Sequence, residues 1–262
     1  MKTNYHTHTT RCHHAVGADE DYVISAIKGG FDEIGFSDHT PWKYDTDFVA
    51  HMRMRLSDFE DYKKSILTLK EKYKNQISIK LGLEVEYFEQ YMPWLISFLK
   101  ENQVDYIIFG NHYYKTDEKK VYFGTACIRP EYLEIYAEEC ITGLRTGLYS
   151  YLAHPDLFMR GCSRFDENCE RISYRICEEA KALNIPLEYN LAGLEYNVIN
   201  GVKQYPHDTF WEIAAKVGCK AIIGVDAHNN KALESPVYWD YATQYLQELG
   251  LQVVDHIKTK GF

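Results

Sequence analysis

The feature that most limits the fold of this chain is a regular alternation of short apolar runs with longer amphipathic segments. Seven of the runs have the length and residue types of β-strands, and they cover residues 3–8, 33–38, 77–86, 104–111, 149–154, 186–190 and 220–226. Seven amphipathic segments predict helices over residues 19–29, 57–74, 89–101, 130–146, 167–183, 207–217 and 236–249. This alternation predicts an α/β fold whose parallel sheet is covered by helices, either closed into a barrel or open and doubly wound. One more short β segment is a candidate at residues 251–255.

The length and composition favour one large α/β domain. The chain has 262 residues, of which 45% are hydrophobic, and it contains no low-complexity run or long linker, so a single domain over residues 1–262 is expected. No apolar run approaches the length of a membrane span, and the N-terminus has no apolar signal-peptide core, so no membrane association is expected. The seven cysteines are odd in number and form no CxxC pair, which favours reduced thiols and a cytoplasmic location.

The charge of the chain argues against one class of partner. The net charge is −9 and no basic run is present, so we expect no nucleic-acid partner. A small anionic substrate remains compatible with this charge, because bound metal ions can reverse the sign of the field locally.

Side chains that commonly bind metals gather at the carboxyl ends of the predicted strands. Six of the seven strand ends carry such a histidine or carboxylate. In chain order these residues are His6, His8, His13 and His14, then Asp38 and His39, Glu84 and Glu86, His112, His154 and Asp156, and finally Asp226 and His228. The carboxyl ends of the strands are where α/β barrels keep their active sites, so the pattern predicts a metal centre there.

The spacing of these residues suits a site for more than one ion. Residues i and i+2 of a strand point to the same face, so His6 and His8 project together. Imidazole and carboxylate ligands without thiolates suit zinc, iron or manganese, and about nine of them are enough for two or three ions. Each motif alone is more often structural. The adjacent His13 and His14 compete for one role, and either Glu84 or Glu86 could bridge two metals.

The motifs resemble, in order, those of the PHP (polymerase and histidinol phosphatase) superfamily. They are "HTHT", "GFSDHT", "GLEVEY", "GNHYY", "AHPDL" and "GVDAH", and the segments between them, such as "LEYNLAGL", are similar to the histidinol-phosphate phosphatase branch. The resemblance covers about residues 3 to 250. It implies a distorted (β/α)7 TIM-like barrel with a centre of three divalent metal ions at the C-terminal face of the strands.

The resemblance also implies which residues bind the metals. One ion takes His6, His8, Glu84 and Asp226, a second takes Glu84 with His112 and His154, and a third takes His14, His39 and His228. In this scheme His14 is chosen over His13 and Glu84 over Glu86. Asp38 is expected to orient a ligand histidine.

The expected reaction is hydrolysis of L-histidinol phosphate in histidine biosynthesis. A metal-bound hydroxide held by Glu84, His112 and His154 would attack the phosphorus. Arginines suit the binding of phosphate oxygens, and the candidates are Arg160 first, then Arg53 and Arg55. Acidic and aromatic residues on rim loops would receive the rest of the substrate, and the candidates are Glu86, Asp156, Tyr113, Trp42 and Glu195. The loop over residues 41–55 is long enough to cover a substrate.

Other functions stay open from the sequence. The chain carries Glu195 where relatives often have an arginine, and Val225 where they often have a serine, which leaves room for a phosphoesterase that acts on nucleotides or another small phosphate ester. An exonuclease or proofreading module is disfavoured because no basic groove for a nucleic-acid strand is evident. A non-catalytic metal-binding domain is disfavoured because all nine ligand positions are retained.

Overall fold

Short strands and long helices alternate from the N-terminus onward, as the hydrophobic pattern predicts. The computed structural model describes residues 1–126, 129–259 and 262. Its residues form two compact units, and the first comprises Met1–Ile108, Val225–Pro236 and Asp255–Phe262. The elements of the first unit are β1 (Thr3–Asn4), α1 (Asp19–Lys28), β2 (Glu33–Phe36), α2 (Phe59–Lys72), β3 (Ser78–Val85), α3 (Met92–Asn102) and β4 (Tyr106–Phe109), whose last residue belongs to the second unit.

The sheet of the first unit has the strand order β1-β2-β3-β4, and β2 pairs in parallel with both β1 and β3. Strand β1 is shorter than predicted because the side chain of Asn4 bonds to the backbone of the next residues. Its Oδ1 accepts from the N–H of His6 at 3.3 Å, and its Nδ2 donates to the carbonyl of His6 at 3.2 Å. The chain then rejoins its neighbours, since the carbonyl of Thr7 accepts from the N–H of Ser37.

Tyr106 fills a space in this sheet that two glycines leave open. A Cβ atom on Gly35 would lie 2.2 Å from the Tyr106 hydroxyl, and one on Gly82 would lie 2.3 Å from the ring. The hydroxyl donates to the carbonyls of Tyr5 and Phe36, at 2.8 and 3.2 Å. Tyr106 therefore bonds to the residue after β1 and to the last residue of β2, just before the ligand-type residues of these segments begin.

The second unit comprises Phe109–Gly224 and Val237–Val254. Its strands β5, β6 and β7 form a three-stranded sheet in that order, with both pairs parallel. The elements are α4 (Phe123–Ala126), α5 (Pro130–Arg145), α6 (Glu167–Ala182), β5 (Leu187–Asn190), α7 (Leu191–Asn200), α8 (Asp208–Val217), β6 (Lys220–Gly224), α9 (Val237–Glu248) and β7 (Gln252–Val253). The β segment considered at residues 251–255 is thus confirmed as β7.

The strand predicted over residues 149–154 is reduced to a single bridging residue. Leu152 forms parallel bridges with Phe109 on one side and Leu187 on the other. The extended stretch is short because the backbone turns at His154, whose φ is +29°, and a 3-10 turn over Leu157–Gly161 follows. The segment lies where the prediction put it, but its ladder ends early.

All seven predicted helices are present, and the structure adds the short α4 and α7. Asn190 is the N-cap of α7, and its side chain accepts from the N–H of Gly193, so the helix begins directly after β5. The six cysteines within the described ranges are free thiols, whereas Cys127 lies outside them. Within the same ranges, no helix is long and apolar enough to cross a membrane.

Candidate metal centre

Backbone hydrogen bonds hold the predicted ligands of the first unit in place. His8 N–H donates to the carbonyl of Ala227, and Ala227 N–H donates to the carbonyl of His6. This pairing sets the first histidine pair beside the segment that carries Asp226 and His228. On the other side, Glu84 N–H donates to the carbonyls of Ser37 and Asp38. Residues that are far apart in the sequence are therefore brought together by their main chains.

Four side chains place their donor atoms at the separations expected for ligands of one ion. His6 Nε2 lies 3.4 Å from Asp226 Oδ1 and 3.6 Å from Glu84 Oε2. His8 Nε2 lies 3.2 and 3.6 Å from the same two oxygens. Two atoms that each lie about 2.0–2.2 Å from a tetrahedral zinc are about 3.3–3.6 Å apart. The residues present thus fit a bound divalent ion, and the donor atoms of His6, His8 and Asp226 also meet as a candidate metal group.

The charges at this position also suit a cation. Burial alone would raise the pKa of Asp226, but the imidazoles of His6 and His8 hold it well below its ordinary value. Burial would lower the pKa of His8, yet Asp226 and Asp38 raise it to about 9. Buried charges are stable only when they are paired, and a divalent cation would replace the proton of His8 in this role.

A second group of histidines stacks around His228. Donor atoms of His8, His39 and His228 lie within 4.8 Å of one another. The ring of His14 stacks on that of His228, with centroids 4.6 Å apart and planes at 30°. Both adjacent histidines are exposed, and His13 lies at the end of a 3-10 turn with φ +68°, whereas the ring of His14 contacts the cluster. The geometry therefore favours His14 over His13, as the resemblance implies.

The protonation of His14 and His228 leaves one nitrogen of each ring available to a metal. His228 Nδ1 lies 3.0 Å from the carbonyl of Asp226, and His14 Nδ1 lies 2.7 Å from the carbonyl of Cys12. A carbonyl only accepts, so each Nδ1 carries the proton and each Nε2 has a free lone pair. Within the described part of the chain, Nε2 of His228 is a buried atom without a hydrogen-bond partner. Burial and the nearby His8 lower the pKa of His228 to about 4, so the ring is neutral at pH 7.

Asp38 bonds to His39 and Thr9 and lies close to His8. Its Oδ1 accepts from the N–H of His39 at 2.8 Å and lies 3.5 Å from His8 Nδ1. Its Oδ2 accepts from the N–H of Thr9 and from the hydroxyl of that threonine. Burial would raise the pKa of Asp38, but the bond and charge of His8 lower it. These contacts hold Asp38 beside both His8 and His39, as its predicted orienting role requires.

Cys12 is a neighbour of this cluster that the sequence interpretation does not include. Its thiol is fully buried, and it groups with the donor atoms of His14 and His228 within 4.8 Å. Burial, with the negative charge of Asp38, raises the pKa of this thiol to about 12. The only signal in the sequence is that Cys12 precedes His14 by two residues.

The second unit holds the other two predicted ligands, His112 and His154. Their ring centroids are 4.9 Å apart, and both side chains are buried. Glu188 lies beneath His154 and accepts from its backbone N–H at 3.0 Å. The two imidazoles are thus brought together by elements of one unit.

The three candidate arginines have different surroundings. Arg53 is 1% exposed and forms a two-pronged pair with Glu86, in which Nη2 lies 2.8 Å from Oε1 and Nη1 lies 3.1 Å from Oε2. Arg55 is exposed at the start of a short turn. Arg160 is exposed, and its Nη1 donates to the hydroxyl of Tyr122 at 3.4 Å. Sequence reasoning missed the Arg53–Glu86 pair, because the partners are 33 residues apart.

The predicted rim residues divide into buried and accessible ones. Trp42, Glu86 and Asp156 are buried. Trp42 Nε1 donates to Glu86 Oε2 at 3.0 Å, so both ends of the loop over residues 41–55 are attached to the same carboxylate. Tyr113 is half-buried beside Tyr122, with ring centroids 5.5 Å apart, and Glu195 is exposed on α7.

Comparisons with known proteins agree with one another. A family model of the PHP domain matches residues 4–192. The chain is 25% identical over 235 residues to the protein named probable histidinol-phosphatase in Deinococcus radiodurans, with 85% of each chain covered. It is 26% identical over 256 residues to the histidinol-phosphatase of Bacillus subtilis, which covers 87% of this chain and 94% of that protein.

The fold has a solved counterpart. The histidinol phosphate phosphatase of Lactococcus lactis, determined in complex with zinc, L-histidinol and phosphate, superposes with a TM-score of 0.74. The match covers 98% of this chain and 99% of that one. At 19% sequence identity this likeness is one of fold.

Proposed function

From the premise that this chain belongs to the PHP domain family, we propose that it hydrolyses L-histidinol phosphate to L-histidinol and phosphate in histidine biosynthesis, with bound divalent metal ions. The observation that carries the proposal is the buried group of His6, His8, Glu84 and Asp226, in which both imidazole Nε2 atoms lie 3.2 to 3.6 Å from the carboxylate oxygens. The two curated relatives that bear the histidinol-phosphatase name match this chain over 85% or more of its length, which supports the choice of substrate.

The proposed metal ligands are the nine residues that the family resemblance implies: His6, His8, His14, His39, Glu84, His112, His154, Asp226 and His228. We propose three ions, the number that the family resemblance implies. Each is zinc, iron or manganese, because the donor atoms are nitrogen and oxygen. When bound, such ions lower the pKa of a water molecule and neutralise phosphate charge. The similarity in fold to the Lactococcus lactis protein supports, as a proposal, one distorted (β/α)7 barrel over residues 1–262. A cytoplasmic location remains the prediction made from the sequence.

For the phosphate group we propose Arg160 as the arginine that binds its oxygens. Its guanidinium is exposed and lies 5.2 Å from the centroid of the Tyr196 ring, a distance typical of a cation–π contact. Arg55 is also exposed and remains a candidate. The guanidinium of Arg53 already binds Glu86, and we propose a structural role for it instead. Tyr113, half-buried and close to His112 in the sequence, is proposed to contact the alcohol part of the substrate.

One observation favours a second function. The family resemblance implies an arginine at the position of Glu195, which is exposed on α7, so this position offers no guanidinium to bind phosphate. A phosphoesterase of the same family that acts on a nucleotide or another small phosphate ester is therefore the alternative.

A phosphate-release assay on the metal-loaded protein tests the proposal. It compares L-histidinol phosphate with nucleotide monophosphates, 3′,5′-bisphosphonucleotides and sugar phosphates. We expect kcat/KM for L-histidinol phosphate to be at least about a hundredfold above the others. His8→Ala should abolish this activity, whereas His51→Ala, at an exposed histidine outside the cluster, should leave it unchanged. A higher kcat/KM for another ester would reassign the substrate, and equal activity of His8→Ala and His51→Ala would refute the metal site.

A further inference from the structure

Glu188 is a buried carboxylate that the proposed reaction does not use. It is the second residue of β5, and its exposed fraction is 0%. Burying a charged group is unfavourable unless hydrogen bonds compensate for lost hydration. Two such bonds reach one oxygen: Oε2 accepts from the backbone N–H of His154 and from Nδ2 of Asn190, each at 3.0 Å.

The bond to His154 stabilises an unusual backbone conformation. His154 has φ +29°, in the left-handed region that residues with a side chain rarely adopt, and a proline follows it. Such a conformation is unfavourable and persists only where the surroundings enforce it. A charge-assisted hydrogen bond to the amide of that same residue is a direct way to enforce it.

The surroundings of Glu188 are shaped around its carboxylate. Gly224 is the last residue of β6, and a Cβ atom there would lie 1.8 Å from Glu188 Oε1. On the other side, Asn190 Oδ1 accepts from the N–H of Gly193 at 2.8 Å, so the residue that binds Glu188 is itself fixed at the start of α7. The carboxylate is therefore held from two sides, and the neighbouring strand leaves space for it.

We propose that Glu188 is a positioning residue for the metal centre: it fixes the backbone of His154 and thereby directs that imidazole toward a divalent ion. This inference rests on the proposed function, in which His154 is a metal ligand. A purely structural role would predict a loss of stability alone, whereas positioning predicts a loss of metal affinity that depends on His154.

Zinc affinity and stoichiometry, measured by competition with a chromophoric chelator and by metal analysis, distinguish the two roles. We expect Glu188→Ala to lower the affinity for the zinc ion that His154 binds by about ten- to a hundredfold, as for other residues that orient metal ligands. The control is Ile172→Ala, which opens a cavity in the buried face of α6, outside the hydrogen bonds that link Glu188 to His154 and Asn190, and should leave zinc affinity unchanged. In a His154→Ala background, Glu188→Ala should cause no further loss of zinc affinity.

Each possible result of these zinc measurements supports or refutes the positioning role of Glu188. Positioning is refuted if Glu188→Ala binds zinc like Ile172→Ala, if its loss is the same with and without His154, or if the unsubstituted protein binds no zinc. Should Glu188→Ala not fold, Glu188→Gln keeps the shape and replaces a charged acceptor with a neutral one, and a loss of about fivefold is expected; an unchanged affinity would count against the inference. Because none of these measurements uses turnover, failure to hydrolyse L-histidinol phosphate would refute the proposed substrate and leave the result on Glu188 intact.

Discussion

The buried pair of Arg53 and Glu86 allows a quantitative test of what each residue does. Arg53→Met removes the guanidinium that donates to both oxygens of Glu86 and, at 3.1 Å, to the carbonyl of Thr40. Glu86 is 1% exposed, so the substitution leaves a buried carboxylate without its main counter-charge. Removing one partner of a buried ion pair costs about 3–5 kcal/mol. At about 2–4 °C per kcal/mol for a chain of this size, Tm should fall by roughly 10 °C.

The double variant, Arg53→Met with Glu86→Met, distinguishes the net energy of the ion pair from the cost of leaving one charge unpaired. Replacing both members with apolar residues of similar volume is often nearly neutral. Here, however, Glu86→Met also leaves Trp42 Nε1–H without the oxygen that accepts from it, which adds about 1–3 kcal/mol. We therefore expect Arg53→Met with Glu86→Met to lose about 1–3 kcal/mol, clearly less than the sum of the single changes.

Denaturant unfolding of the metal-free protein measures these differences. Arg55→Met is the matched control, because Arg55 is exposed and should change the free energy of unfolding by less than about 0.5 kcal/mol. A loss below about 1 kcal/mol for Arg53→Met, together with a large rise in KM, would contradict the reasoning and return Arg53 to its predicted role in binding phosphate.

Three further outcomes follow from the described contacts. Asp38→Asn weakens the acceptor of the His39 amide and should lower zinc affinity by about ten- to a hundredfold in a chelator competition, while Asp58→Asn, on the surface, should not. Chelation of the bound ions should lower Tm. In thermal melts, the difference in Tm between the zinc-bound and the metal-free protein should grow with the logarithm of the zinc concentration. Burial raises the pKa of Glu139 from 4.5 to about 7, so this carboxyl binds its proton more tightly in the folded protein than in the unfolded chain. Its contribution to the free energy of unfolding is therefore complete below pH 4.5 and is lost as the pH rises through 7. Glu139→Gln should flatten that part of the stability profile in denaturant unfolding, and an unchanged slope would exclude the carboxyl as its source.

Much of the fold could be predicted because local patterns decide it. Helix α1 carries Asp19, Glu20 and Asp21 in its first turn and Lys28 in its last, in agreement with the helix dipole, and its predicted bounds hold to within a residue. Helix α7 was missed because Asn190 ends a strand and caps a helix at the same position, leaving no connecting segment to mark the change. The strand near Leu152 was overestimated because its apolar residues give no sign of the turn at His154.

The candidate site also has features that the sequence predicts and features that it does not. That His6 and His8 lie beside Asp226 was expected, because residues two apart on a strand share a face and parallel strands end together. Which arginine is accessible was not predictable, since the sequence around Arg53 does not show that a carboxylate from β3 reaches it. Such long-range pairings depend on packing, and residue type alone does not reveal them.

The contact of Tyr106 with Gly35 and Gly82 has a consequence for how this protein evolves. A larger residue at either glycine collides with the ring, and loss of the hydroxyl removes the donor to the carbonyls of Tyr5 and Phe36. Each single step away from this arrangement is therefore unfavourable, although a concerted change at all three positions need not be. We expect the three positions to covary among homologues, so that lineages with a residue smaller than tyrosine at 106 carry side chains at 35 or 82. The three positions are not among the proposed metal ligands, so we expect packing to be the cause of this covariation.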